Sequence, residues 1–108
     1  MGACDFTSFA KKTDDIDTPE KAFQALVAQA KYDFGHAGYT GTIAEKGSDG
    51  FGMYTHVPVT MKQAYEKQQE NLQSENPRFD DKWGPCGCIP IKDDEKGEGW
   101  LFFGIASS

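Results

Sequence analysis

Residues 35–46, Gly35-His36-Ala37-Gly38-Tyr39-Thr40-Gly41-Thr42-Ile43-Ala44-Glu45-Lys46, follow the clearest helical pattern in the chain and are rich in Gly, Tyr and β-branched residues. A second stretch echoes them: Trp83-Gly84-Pro85-Cys86-Gly87-Cys88-Ile89-Pro90-Ile91-Lys92. Laid over one another, residues 41–46 and 87–92 match Gly, Ile and Lys at the same spacing. Each stretch reads as a strand that comes after a helix.

Upstream, Thr18 can cap free backbone N–H groups, and Pro19 suits the first helical position, where its missing N–H costs nothing. Phe23, Leu26, Val27, Ala30 and Phe34 then recur at helical spacing as one apolar stripe. Gly35 ends that helix, because glycine takes the left-handed terminal conformation without strain. Downstream of residues 39–46, Gly47-Ser48-Asp49-Gly50 is a turn cluster, and residues 51–57 read as a partner strand in a hairpin. Phe51, Met53, Thr55 and Val57 fall on one face of it, Tyr54 and His56 on the other.

The second half repeats the order. Thr60-Met61-Lys62-Gln63 is a capping box that opens a helix, which Asn76-Pro77 closes. Its face of Met61, Ala64, Tyr65, Gln68 and Leu72 is thin. Strands over 83–92 and 100–106 flank the charged turn 93–99. The run Trp100-Leu101-Phe102-Phe103-Gly104-Ile105-Ala106 is apolar throughout, as in strands buried on both faces.

The expected fold is α+β: helix–strand–strand repeated twice, giving a four-stranded, mainly antiparallel sheet with two helices on one face. Residues 18–108 form one domain, with a possible pseudo-repeat of 18–57 and 60–106. Residues 1–17 show no period and read as a polar N-terminal arm. Two helices on one face leave the other face, apolar in its last strand, in need of cover. The chain is therefore expected to form a homo-oligomer through the open sheet face, or to lay a ligand across it.

With 108 residues the chain supports one core. Its 17 acidic residues outnumber 11 basic ones, and no basic run could track a phosphate backbone, which disfavours a nucleic-acid polymer as partner. Cys4, Cys86 and Cys88 are too few and too unevenly spaced for a disulfide framework, which points to a reducing, cytoplasmic setting. No apolar run is long enough to span a membrane.

Cys86 and Cys88 with His36 and His56 are residue types that zinc uses, but one residue between cysteines is the wrong spacing, and no metal or cofactor is implied. A Cys–His pair for nucleophilic catalysis would have to be assembled by the fold, without a local signature. The glycines of 35–41 follow a helix C-terminus, the wrong pole for a phosphate loop.

Three segments together resemble small proteins carried by bacteriophages and their hosts: residues 32–46, residues 81–89 (Asp81-Lys82-Trp83-Gly84-Pro85-Cys86-Gly87-Cys88-Ile89) and residues 102–108 (Phe102-Phe103-Gly104-Ile105-Ala106-Ser107-Ser108). The resemblance covers about half the chain. It implies an accessory or counter-defence protein of a bacterial host's cytoplasm that acts by binding, either occupying a host protein or sequestering a nucleotide-like signal.

The residues expected to bind such a ligand are His36, Tyr39, Thr40, Thr42, Tyr54 and His56. Strand alternation puts Thr40, Thr42, Tyr54 and His56 on the sheet face away from the helices, where hydroxyls and aromatic rings suit a nucleotide-like molecule. The alternatives are a protein inhibitor that docks by its apolar sheet face, and a small Cys/His-dependent enzyme.

Overall fold

A computed structural model describes residues 3–34, 43–46, 50–73 and 84–107. Among these, the chain order is strand β1 (Ala3–Lys11), helix α1 (Pro19–Phe34), a 3-10 helix (Ile43–Lys46), strand β2 (Phe51–Met53), helix α2 (Met61–Gln73), strand β3 (Cys86–Asp93) and strand β4 (Gly97–Ser107). The fold is α+β, and the four strands make one sheet in the order β1-β4-β3-β2.

Both helix starts follow their local chemistry. The Lys21 N–H donates to Thr18 Oγ1 (3.2 Å), which caps α1 just ahead of Pro19. At α2 the capping box closes in both directions: the Gln63 N–H donates to Thr60 Oγ1 (3.2 Å), and the Thr60 N–H donates to Gln63 Oε1 (3.0 Å). Asp93 reinforces this start from β3, since its Oδ2 accepts from the Met61 N–H (2.8 Å). Its Oδ1 accepts from the N–H groups of Glu95 (2.8 Å) and Lys96 (3.0 Å), shaping the β3–β4 turn. Gly97 completes that turn at φ 81°, a left-handed conformation that favours glycine.

The sheet is mainly antiparallel. β4 lies between β1 and β3 and runs antiparallel to both. β2 runs parallel to β3, with Phe51 opposite Cys86 and Met53 opposite Cys88. A parallel neighbour needs a long crossover, and α2 supplies it.

The sequence expectation is corrected in four places. Within the strand expected over 39–46, Ile43–Lys46 is a 3-10 helix and so is not the hairpin partner of 51–53; residues 39–42 lie outside the described residues. The strand expected over 51–57 ends at Met53. Residues 3–11 are not an arm but the edge strand β1, paired along its length with β4. The helix–strand–strand order holds for α2, β3 and β4 and only loosely for the first half.

A further correction concerns the layers. α1 packs with Cys86, Cys88 and Phe102, while Ala64 and Met61 of α2 pack with Ile89, Ile91, Leu101 and Phe103. Alternate residues of a strand point to opposite faces, so the two helices cover opposite faces of the sheet. This accounts for the apolar run in β4. Trp100 and Phe102 face α1, and Leu101 and Phe103 face α2. The face expected to be open for self-association is the one that α2 covers.

The α1 side is dry and aromatic. Phe23, Phe51 and Phe102 meet with ring centroids 5.1, 5.6 and 5.2 Å apart, the last pair edge to face. Gly104 sits where a Cβ would come within 3.2 Å of the Cys86 Cβ and 3.3 Å of the Phe6 ring, so a side chain there would need both neighbours to give by a few tenths of an ångström.

Candidate functional site

Of the six expected site residues, His36, Tyr39, Thr40 and Thr42 lie outside the described residues. Tyr54 and His56 can be placed. Tyr54 is half-buried on the α2 side, with its ring edge to face on Phe103 at 5.7 Å. Its N–H donates to the Cys88 carbonyl (2.9 Å), extending β2 by one contact. His56 is exposed beyond the strand end. The alternation that separates Tyr54 from Phe51 and Met53 holds, but the face Tyr54 occupies is packed under α2.

A concave feature is elsewhere, between α2 and the β1–β4 edge of the sheet. It is a cavity of about 250 Å³ lined by Asp5, Thr7, Tyr65, Gln68, Gln69 and Asn71 over a floor that includes Phe103 and Gly104. α2 delivers four of these side chains because residues three and four apart share a helix face. β1 delivers Asp5 and Thr7 because alternate strand residues share a sheet face.

The polar chemistry of this cavity is dominated by carboxamides. The Thr7 hydroxyl donates to Gln68 Oε1 (3.0 Å), tying β1 to α2. Gln68 Nε2 is buried and has no hydrogen-bond partner among the described residues. If the amide is turned over, the unpaired atom becomes the oxygen; either way one half of the group is without a partner among the described residues. A buried polar atom without a partner carries a desolvation penalty of about 1–3 kcal/mol, which a ligand group could relieve. Asn71 is also buried, at 5% exposure, in a helix whose core-facing side would ordinarily be apolar. Asp5 is the one charged residue among those lining the cavity.

The signal for this site was present in the sequence as the thinness of the α2 stripe. Gln68-Gln69-Glu70-Asn71 places amides where a packing helix normally carries Leu or Ile. Tyr65 and Gln68, on the thin face of this helix, line the cavity together with Gln69 and Asn71.

The opposite side of the sheet holds the sulfur chemistry. Cys86 and Cys88 are fully buried. Burial in apolar surroundings pushes the Cys86 thiol up from its ordinary value of 9.0 to about 12, against the opposing pull of Lys46. Burial pushes Cys88 higher still, with Cys86 and Glu20 adding to the rise. A nucleophilic cysteine needs the reverse, a lowered pKa and access. Lys46 is itself fully buried, and its Nζ donates to the Gly84 carbonyl at 2.8 Å, which pins the 3-10 helix to the segment entering β3. Among the described residues, no three His, Cys, Asp or Glu side chains converge as a metal site would require. No helix of the described residues is long and apolar enough to cross a membrane.

Comparisons with protein families, with curated proteins and with solved structures find no match to this chain.

Proposed function

We propose that this chain is a small non-enzymatic binding protein whose ligand occupies the cavity between α2 and the β1–β4 edge. The observation that carries the reading is the buried Gln68 Nε2, without a hydrogen-bond partner among the described residues, in a cavity whose lining also includes Thr7, Gln69, Asn71 and Tyr65. Carboxamides offer a donor and an acceptor side by side, which matches the paired groups on the edge of a nucleobase. Tyr65 supplies an aromatic face for stacking at the rim. The carboxylate of Asp5 repels a phosphate, so within one chain the cavity suits the base or nucleoside part of a nucleotide-like molecule.

Holding a small molecule without turning it over fits the accessory, counter-defence role that the resemblance to phage proteins implies. The alternative of a protein inhibitor docking by its apolar sheet face is less favoured, because helices pack on both faces among the described residues. The Cys/His enzyme is less favoured because Cys86 and Cys88 are buried.

The test is a thermal-shift and calorimetric screen of the four common ribonucleosides and their bases against the wild type and Gln68→Met. The expected result is saturable binding of at least one of them, weakened about tenfold or more in Gln68→Met, as follows from leaving a ligand group unpaired. Binding unaffected by Gln68→Met, or none by any compound, overturns the proposal.

A further inference from the structure

The two edges of the sheet differ in how they end. β2 is three residues long, too short to template another strand. β1 is nine residues long and pairs on one side only, with β4. Its free side can be read from the hydrogen bonding. The Lys12 N–H donates to the Glu98 carbonyl (2.8 Å), so even-numbered positions turn their peptide groups toward β4. Odd-numbered positions turn theirs outward. The N–H and C=O groups of Asp5, Thr7, Phe9 and Lys11 therefore form a continuous outward row, and none finds a partner among the described residues.

We infer that β1 pairs antiparallel with the β1 strand of a second copy, about a two-fold axis at Ser8, joining two four-stranded sheets into one. A symmetric antiparallel pair must join residues whose numbers have a constant sum, and only odd positions carry free peptide groups. The axis at Ser8 opposes Asp5 to Lys11, Thr7 to Phe9, and Ser8 to itself. It is the register that sets the exposed carboxylate of Asp5 opposite the exposed ammonium of Lys11, twice by symmetry. Neither side chain has an ion-pair partner among the described residues. The same axis sets Phe6 beside Ala10 on the α1 side, a large residue against a small one. A second copy fits this edge better than a foreign strand because both its hydrogen-bond row and its charges are self-complementary.

The pairing bears on the cavity, and this consequence rests on the proposed binding function. Asp5 lines the cavity, so the second copy brings Lys11 to its rim and supplies a cation that one chain lacks there. The dimer itself stands independently of any ligand.

The test measures ligand-free oligomeric mass by native mass spectrometry and light scattering. The wild type is expected to be a dimer. Asp5→Lys and Lys11→Asp each place like charges opposite one another and should weaken it about tenfold or more, and the double swap should restore it. Independently, Ser8→Cys in a Cys4→Ser background should oxidise to a covalent dimer, since paired residues on a two-fold axis without mutual backbone bonds approach within disulfide range. This second variant decides the matter if a charge reversal prevents folding. A monomeric wild type, or a dimer indifferent to the charge swaps and not linked through Cys at position 8, overturns the inference. A dimer that binds no nucleoside leaves this interface intact and removes only the ligand reading.

Discussion

The two faces of the sheet are built from alternate residues of the same strands, yet they do opposite things. Toward α1, Cys86, Cys88 and Phe102 meet Phe23 and Phe51 in a core that holds thiols and aromatic rings. Toward α2, Leu101, Ile89 and Ile91 are equally buried near Ala64, but the helix then turns polar and leaves a cavity lined by amides. Three aromatic rings in mutual contact fill space with no polar demand. Gln68 and Asn71 bring polar groups to a space that the other described residues do not fill. One face is filled by its own side chains; the other keeps a polar cavity among the described residues.

That contrast is broken most severely at Phe102. Phe102→Ala removes the ring that touches both Phe23 and Phe51 and should cost about 3–5 kcal/mol, read as a lower midpoint in urea unfolding. For a domain of this size that approaches the whole margin of stability.

The thiols give the α1 face a pH signature. Because their folded-state pKa values are raised, the folded protein keeps protons that the unfolded chain releases above the ordinary thiol value of 9.0. Stability should therefore be unaffected by these groups below that pH and fall as pH rises through the window up to about 12 for Cys86. Each thiol contributes a slope of up to about 1.4 kcal/mol per pH unit. Denaturation midpoints across this range should fall less steeply in Cys86→Ala and Cys88→Ala. In the folded state, peptide mapping after alkylation at pH 8 should leave both residues unmodified; rapid labelling of either would reinstate the enzyme reading.

On the α2 face, Asp93 joins three elements through one carboxylate. Its pKa is lowered by the backbone N–H groups of Met61, Lys96 and Glu95. A lowered folded pKa means its contribution is present above the unfolded carboxylate range and is lost as pH falls through the folded value. Asp93→Ala should lower the Tm by several degrees at pH 7, and the difference from the wild type should shrink as pH falls through the folded-state value and the wild-type carboxyl takes up its proton. The smallest effect is expected at the cavity. Gln68→Met loses the Thr7 bond but also removes the buried Nε2 that lacks a partner among the described residues, so stability should change by less than about 1 kcal/mol while ligand binding is weakened.

The helices and β4 were legible from the chain because their signals are local: Thr18 and Pro19, the Thr60–Gln63 box, and the run from Trp100 onward. β1 was not, because Phe6 and Phe9 are three apart and so serve opposite faces, while Asp5, Thr7 and Lys11 dilute the alternation. The parallel pairing of β2 with β3 was hidden for a related reason. Local sequence favours a hairpin after a Gly-Ser-Asp-Gly cluster, and nothing in three residues announces a partner beyond α2. The likeness of residues 41–46 to 87–92 is a likeness of composition, since Ile43–Lys46 is a 3-10 helix and Cys86–Asp93 a strand. For the site, the sequence pointed to aromatic and hydroxyl residues in the Gly-rich segment and at Tyr54 and His56. It could not show that Thr7 and Gln68, 61 positions apart, meet across a cavity.

The central claim, that the amide-lined cavity under α2 is a ligand site, is tested most directly by the side-chain amide region of a ¹H–¹⁵N correlation spectrum during titration with nucleosides. The account predicts that the Gln68, Gln69 and Asn71 NH₂ signals shift saturably and together with one of the compounds, with Gln68 moving most. Shifts confined to His56 and the segment around Tyr54, with the Gln68 signal unmoved, would contradict it and return the site to the Gly-rich region.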